Sequence, residues 1–207
     1  MQIITLIRNI ITMKETVLTR SDTFDLLKKY NKSEGLIKHA LAVEAVMRHF
    51  AELYGEDPEK WGIIGLIHDL DYEKYADQHC KMTEKILENE GWPKDYINSV
   101  LSHAWGICSD VEPTHIMEKV LYTIDELTGL IVACVLVRPS KSLLDLKIKS
   151  VKKKWNVKHF AAGANREVIE KGAQMLNKDL DYIIKETITG MQKIAEQLGL
   201  KGEPMIS

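Results

Sequence analysis

The chain has little of what marks specialised scaffolds. Its three cysteines, Cys80, Cys108 and Cys134, are odd in number, far apart and form no CxxC pair. A disulfide framework and a thiolate zinc site are thereby disfavoured, and a reducing cytoplasm fits best. No charge of one sign dominates: 28 Lys and Arg face 30 Asp and Glu, a formal net charge of -2. Such a balance leaves no global footprint for a nucleic-acid polymer. No apolar run approaches a membrane span, and the longest, over 130–137, reads as the buried end of a helix. There is no internal repeat, low-complexity segment or interdomain linker.

The first residues, 1–13, are apolar but broken by Arg8 and Asn9 and lack a small-residue cleavage site, which makes a poor signal peptide. Residues 1–20 are expected to be a dispensable extension, with Met13 as the true start. Residues 201–207 read as a tail, with fraying expected from Gly199 onward.

What is present is ordinary for a globular chain: 45% hydrophobic and 28% charged residues over a length suited to one domain, 21–200. Periodicity predicts helices throughout. Ser21-Asp22 offers an N-cap for a first helix ending at Tyr30. Leu36, Ala40, Val43, Met47, Phe50 and Tyr54 form an amphipathic stripe that carries His39 inward and leaves His49 to solvent. Asp57-Pro58 opens a helix apolar on most sides, with His68-Asp69 in its last turns. Further helices are expected to hold His79, to lead into His103, and to run from Pro113 to Val137 with Asp125 beside its inner face. Arg138-Pro139-Ser140 ends that helix, and three more follow over about 140–155, 158–177 and 179–199. The expected architecture is all-α, one bundle of eight to nine helices.

Asp69 follows an aliphatic run, and burying an ionised carboxylate costs several kcal/mol unless it is paired or metal-bound. His39, His68, Asp69 and Asp125 come from three helices and face inward. Imidazole and carboxylate together suit Mn, Fe, Co, Ni or Zn better than Mg or Ca. The residues alone also allow a histidine satisfied in a polar core network. Lys147, Lys149, Lys152, Lys153 and Lys154 read as a solvated helix face, and His115 and His159 as solvent-facing.

The order His39, His68-Asp69, Asp125 resembles the signature of the HD superfamily of metal-dependent phosphohydrolases. The segments 68–73, 125–131, 137–141 and 160–167 look like a bacterial branch of predicted HD hydrolases. The resemblance covers roughly residues 22–200 and implies a single HD-domain bundle in which those four residues bind a divalent ion. His79 and His103 stand where two-metal members carry extra histidines, so the resemblance implies one or two transition-metal ions with Asp69 bridging. The implied substrate is a small, nucleotide-like phosphate ester attacked by metal-activated water. Asp69, Asp71 and Lys74 are the catalytic candidates, and Arg138, Lys141 and Arg166 the candidate phosphate-binding cations. The chain departs from many members in carrying Asp71, Tyr72 and Glu73 before Lys74, and it lacks the GYP extension of cyclic-di-GMP phosphodiesterases. Two other outcomes stay open: a di-iron HD protein that activates oxygen, and a metal-stapled binding module without turnover.

Overall fold

A computed structural model describes residues 18–157 and 159–202; the expectations for residues 1–17 and 203–207 lie outside it. Helix α1 (Arg20–Tyr30) starts at a cap one position ahead of the helix, where Thr19 Oγ1 accepts the Asp22 amide at 3.1 Å. Helix α2 (Glu34–Tyr54) stops at Gly55, whose φ of 70° is the left-handed turn a glycine takes without strain. In α3 (Pro58–Ile67), Asp57 caps the Glu59 amide at 2.8 Å and every residue from Trp61 onward is buried. A 3₁₀ turn (Ala76–Gln78) precedes α4 (Lys81–Asn89), and a second one (Ser102–Ala104) follows α5 (Lys94–Leu101). Then come α6 (Ile116–Leu136), α7 (Ile148–Trp155), α8 (Arg166–Met175) and α9 (Leu180–Gln192). The described residues thus form nine α-helices and no strand, in line with the all-α expectation.

Two long helices organise the bundle. α2 packs against α3, α9 and α6, while α6 also carries α8. The α2–α3 contact is close at Gly65, where an added Cβ would lie 3.2 Å from the Val43 carbonyl and 2.8 Å from Met47 Cγ. That approach brings the end of α3 alongside the first turns of α2. Phe50, Met47, Trp61, Ile64 and Leu121 fill the space between, each fully buried and worth roughly 1.5–3 kcal/mol of transfer free energy.

Several expectations need correction. α3 ends at Ile67, so His68-Asp69 lies in the turn that follows rather than in the helix. His79 precedes α4 rather than sitting inside it. His49 is buried, not solvated, because α9 covers that side of α2; its Nε2 lies 2.8 Å from Glu186. The last three helices are shorter than expected. Residues 141–147 are irregular, and Leu143 and Leu146 insert into the core without helical pairing. The Leu143 amide donates to the Leu200 carbonyl at 2.7 Å and Ser142 Oγ to Lys201 at 2.6 Å, so the chain at 200–201 is tied down rather than frayed. Among the described residues no helix is long and apolar enough to cross a membrane.

Candidate metal centre

Five local devices deliver the six candidate ligands. His39 comes from the second turn of α2 and Asp125 from the middle of α6. His68 and Asp69 come from the turn after α3, His79 from the junction between the first 3₁₀ turn and α4, and His103 from the second 3₁₀ turn. His79 is followed by Cys80 at φ 68°, a left-handed position disfavoured for a residue with a Cβ. The kink lets Asp71 Oδ2 accept the Thr83 amide of α4 at 2.8 Å while Asp71 Oδ1 holds His79 Nδ1 at 2.7 Å.

The four imidazoles share one orientation. His68 Nδ1 donates to the Gly65 carbonyl at 2.7 Å and His103 Nδ1 to the Val100 carbonyl at 2.6 Å. Thr128 Oγ1 donates to the Asp125 carbonyl and so accepts from His39 Nδ1 at 3.3 Å. With every Nδ1 a donor, every Nε2 of a neutral ring is a bare lone pair, and all of them converge on two carboxylates. His39 and His68 Nε2 lie 2.9 and 3.2 Å from Asp125 Oδ1, and 3.7 and 3.4 Å from Asp69 Oδ2. His79 and His103 Nε2 lie 3.4 and 3.5 Å from the other oxygen of Asp69, and 3.2 Å from each other. Asp69 therefore stands between two groups, His39–His68–Asp125 on one oxygen and His79–His103 on the other.

Lone pairs facing carboxylate oxygens and each other repel unless a cation lies among them. His68 Nε2 is the sharpest case, fully buried and without a hydrogen-bond partner. Protons are one possible cation. Burial opposes protonation of His68, yet the Asp69 and Asp125 carboxylates outweigh it and raise its pKa well above the ordinary imidazole value. Burial likewise opposes ionisation of Asp69 and Asp125, but His68 with His103 and His39 respectively holds both well below the usual carboxylate range. The residues also fit a metal: His39, His68, Asp69 and Asp125 offer four ligand atoms within 4.8 Å of one another.

Asp71 is fully buried with both oxygens accepting, which makes it a holder of His79 rather than a free base. The Cys80 and Cys108 sulfurs, 28 residues apart in sequence, lie 3.2 Å from each other beside His79. Both thiols are reduced, and burial pushes both pKa values up, which argues against a nucleophile.

The candidate cations do not join the centre. Lys74 Nζ donates to the Lys29 carbonyl and lies over the Tyr30 ring. Arg138 pairs with Asp145 at 2.9 Å, and Lys141 is exposed at the start of the irregular segment. Arg166 spends its guanidinium on the carbonyls of Phe160, Ala161 and Ala164. Proximity in sequence to the His-Asp pair or to Asp125 could not reveal these local partners. The residue that sequence reading missed is Glu126. It borders the cavity of about 450 Å³ above the centre, and its Oε2 accepts the Asn165 amide at 3.0 Å. Its position directly after Asp125 was the available signal.

A search of curated proteins and one of solved structures returned no match. Residues 36–130 match the family model of the HD domain, a span that includes all six candidate ligands. That match supports membership of the HD superfamily of metal-dependent phosphohydrolases.

Proposed function

We propose that the protein is a phosphohydrolase that uses one or two divalent transition ions to hydrolyse a small, nucleotide-like phosphate mono- or diester. The observation that carries this is the buried, partnerless Nε2 of His68, aimed with three other imidazole lone pairs at Asp69 and Asp125. A mixed nitrogen and oxygen donor set of this kind favours Mn, Fe, Co, Ni or Zn. His39, His68, Asp69 and Asp125 would hold one ion, and His79, His103 and Asp69 a second.

When bound there, such an ion would supply a water of lowered pKa and a Lewis acid for a phosphoryl oxygen. The chain's own part is positional. Gly65, Val100, Thr128 and Asp71 fix the tautomer and tilt of the four rings. Ala104, Ile107, Ala161 and Ala164 line the cavity with apolar surface, which limits the water around the reacting group. Lys74, Arg138, Lys141 and Arg166 have no part in this account.

The test is elemental analysis of natively metallated protein followed by phosphate release from a panel of esters. Transition metal near stoichiometry is expected, with activity falling on the order of a hundredfold or more in His68→Ala and Asp69→Ala. Folded, metal-free protein with undiminished activity would refute the reading. Iron-dependent oxygen uptake with no phosphate release would favour oxidative chemistry instead.

A further inference from the structure

The cavity over the centre has a one-sided charge inventory. Asp69, Asp125 and Glu126 line it and Asp71 lies behind His79, while no lysine or arginine lines it among the described residues. The neighbouring cations are engaged elsewhere: Arg166 on three carbonyls, and Lys171 over the Trp105 ring at 3.5 Å. Its volume of about 450 Å³ lies within the range of small-molecule sites, roughly 300–1,000 Å³.

We propose that Glu126 and this cation-free wall restrict the substrate to esters bearing a single phosphate and an uncharged organic part, and reject polyphosphates. The proposal rests on the phosphohydrolase reading above. The four carboxylates would cancel the charge of two divalent ions, and would exceed that of one. A single phosphate at the centre would be held by ions that its own charge complements. Each further phosphate must sit in the cavity beside Glu126, where no lysine or arginine among the described residues receives it. Sites that accept polyphosphates supply such cations because like charges a few ångströms apart in a partly desolvated cleft cost on the order of tenfold in affinity each. Glu126 is placed to enforce this. One oxygen is anchored on the Asn165 amide at the start of α8, and the other has no partner among the described residues.

The experiment uses the metal-loaded full chain with free metal ion buffered. Phosphate release from adenosine 5′-monophosphate and 5′-triphosphate measures turnover. Calorimetric titration with orthophosphate and tripolyphosphate measures binding independently of it. The single-phosphate probe is expected to win in both by at least about tenfold. Glu126→Gln keeps an oxygen for the Asn165 amide and is expected to narrow both ratios roughly three- to tenfold. Glu126→Lys should narrow them further, with thermal melts confirming that each variant folds. Equal handling of single and triple phosphates by the wild-type chain would overturn the proposal. So would ratios unmoved in both folded variants, or failure to bind either anion. If no ester of the panel is hydrolysed while the binding ratio and its Glu126 dependence hold, the hydrolase reading falls and the selectivity stands.

Discussion

A histidine becomes a candidate ligand here through the group behind it as much as through its position. The Gly65 and Val100 carbonyls each sit three residues before the ring they hold, so a single turn of chain both delivers the imidazole and fixes its proton on Nδ1. Asp69 differs from the rings in serving both groups at once, with Oδ2 toward His39 and His68 and Oδ1 toward His79 and His103. Asp69→Asn is therefore expected to deplete metal from both groups. His103→Ala should lower the second occupancy and spare the group around His39, because His39, His68, Asp69 and Asp125 all remain. Metal content per chain after desalting distinguishes the two. Loss of one ion alone in Asp69→Asn would make a single-ion centre the better account.

At the scale of elements, the site depends on how closely helices approach. α8 lies against α6 because Gly172 leaves room for Thr123; a Cβ there would sit 2.8 Å from Thr123 Cβ and closer still to its hydroxyl. Gly172→Ala is expected to cost about 1–3 kcal/mol through overpacking. At about 2–4 °C per kcal/mol for a chain of this size, the loss is readable as a lowered Tm, with metal content unchanged. An unaltered or raised Tm would mean that α8 shifts freely on α6. Helices α2, α3 and α6 were legible in sequence because stripe, cap and stop agree: Asp57-Pro58 at one start, Gly55 at one end, Met117 to Val135 along one face. The segments 141–147 and 193–199 were not, because what stops their helices is tertiary. Leu143 pairs with Leu200, and Gln192 Nε2 donates to the Leu143 carbonyl at 2.8 Å. His49 was misjudged for the same reason: periodicity places a residue on a face of α2 but does not say that α9 covers that face. The convergence of the candidate ligands was legible because their residue types are costly to bury and occur in a known order. The direction of Lys74 or Arg166 is decided by the nearest carbonyl, which no spacing encodes.

For the whole molecule, an ion held at this centre would tie folding to metal and to pH. In metal-free protein the cation among these groups is a proton. The raised pKa of His68 then contributes stability that is fully present below the ordinary imidazole value of 6.5 and is lost as pH rises through the native value. The lowered pKa of Asp125 contributes stability present above the ordinary 3.8 and lost only as pH falls through its native value. Metal-free protein should thus lose stability toward alkaline pH as Asp69 and Asp125 come to face neutral, buried imidazole. Metal competes with the same protons, so its stabilising effect should run the opposite way. An ion at about a hundred times its Kd adds about 2.7 kcal/mol to a chain that binds it only when folded. The increment in Tm on adding Mn or Zn is therefore expected to be small near about pH 5.5 and to grow toward about pH 8.5, with a chelator reversing it. In His68→Ala the increment should shrink at every pH, since a ligand is gone. An increment that stays constant across this range, or that survives intact in His68→Ala, would mean the ion binds away from the His and Asp groups.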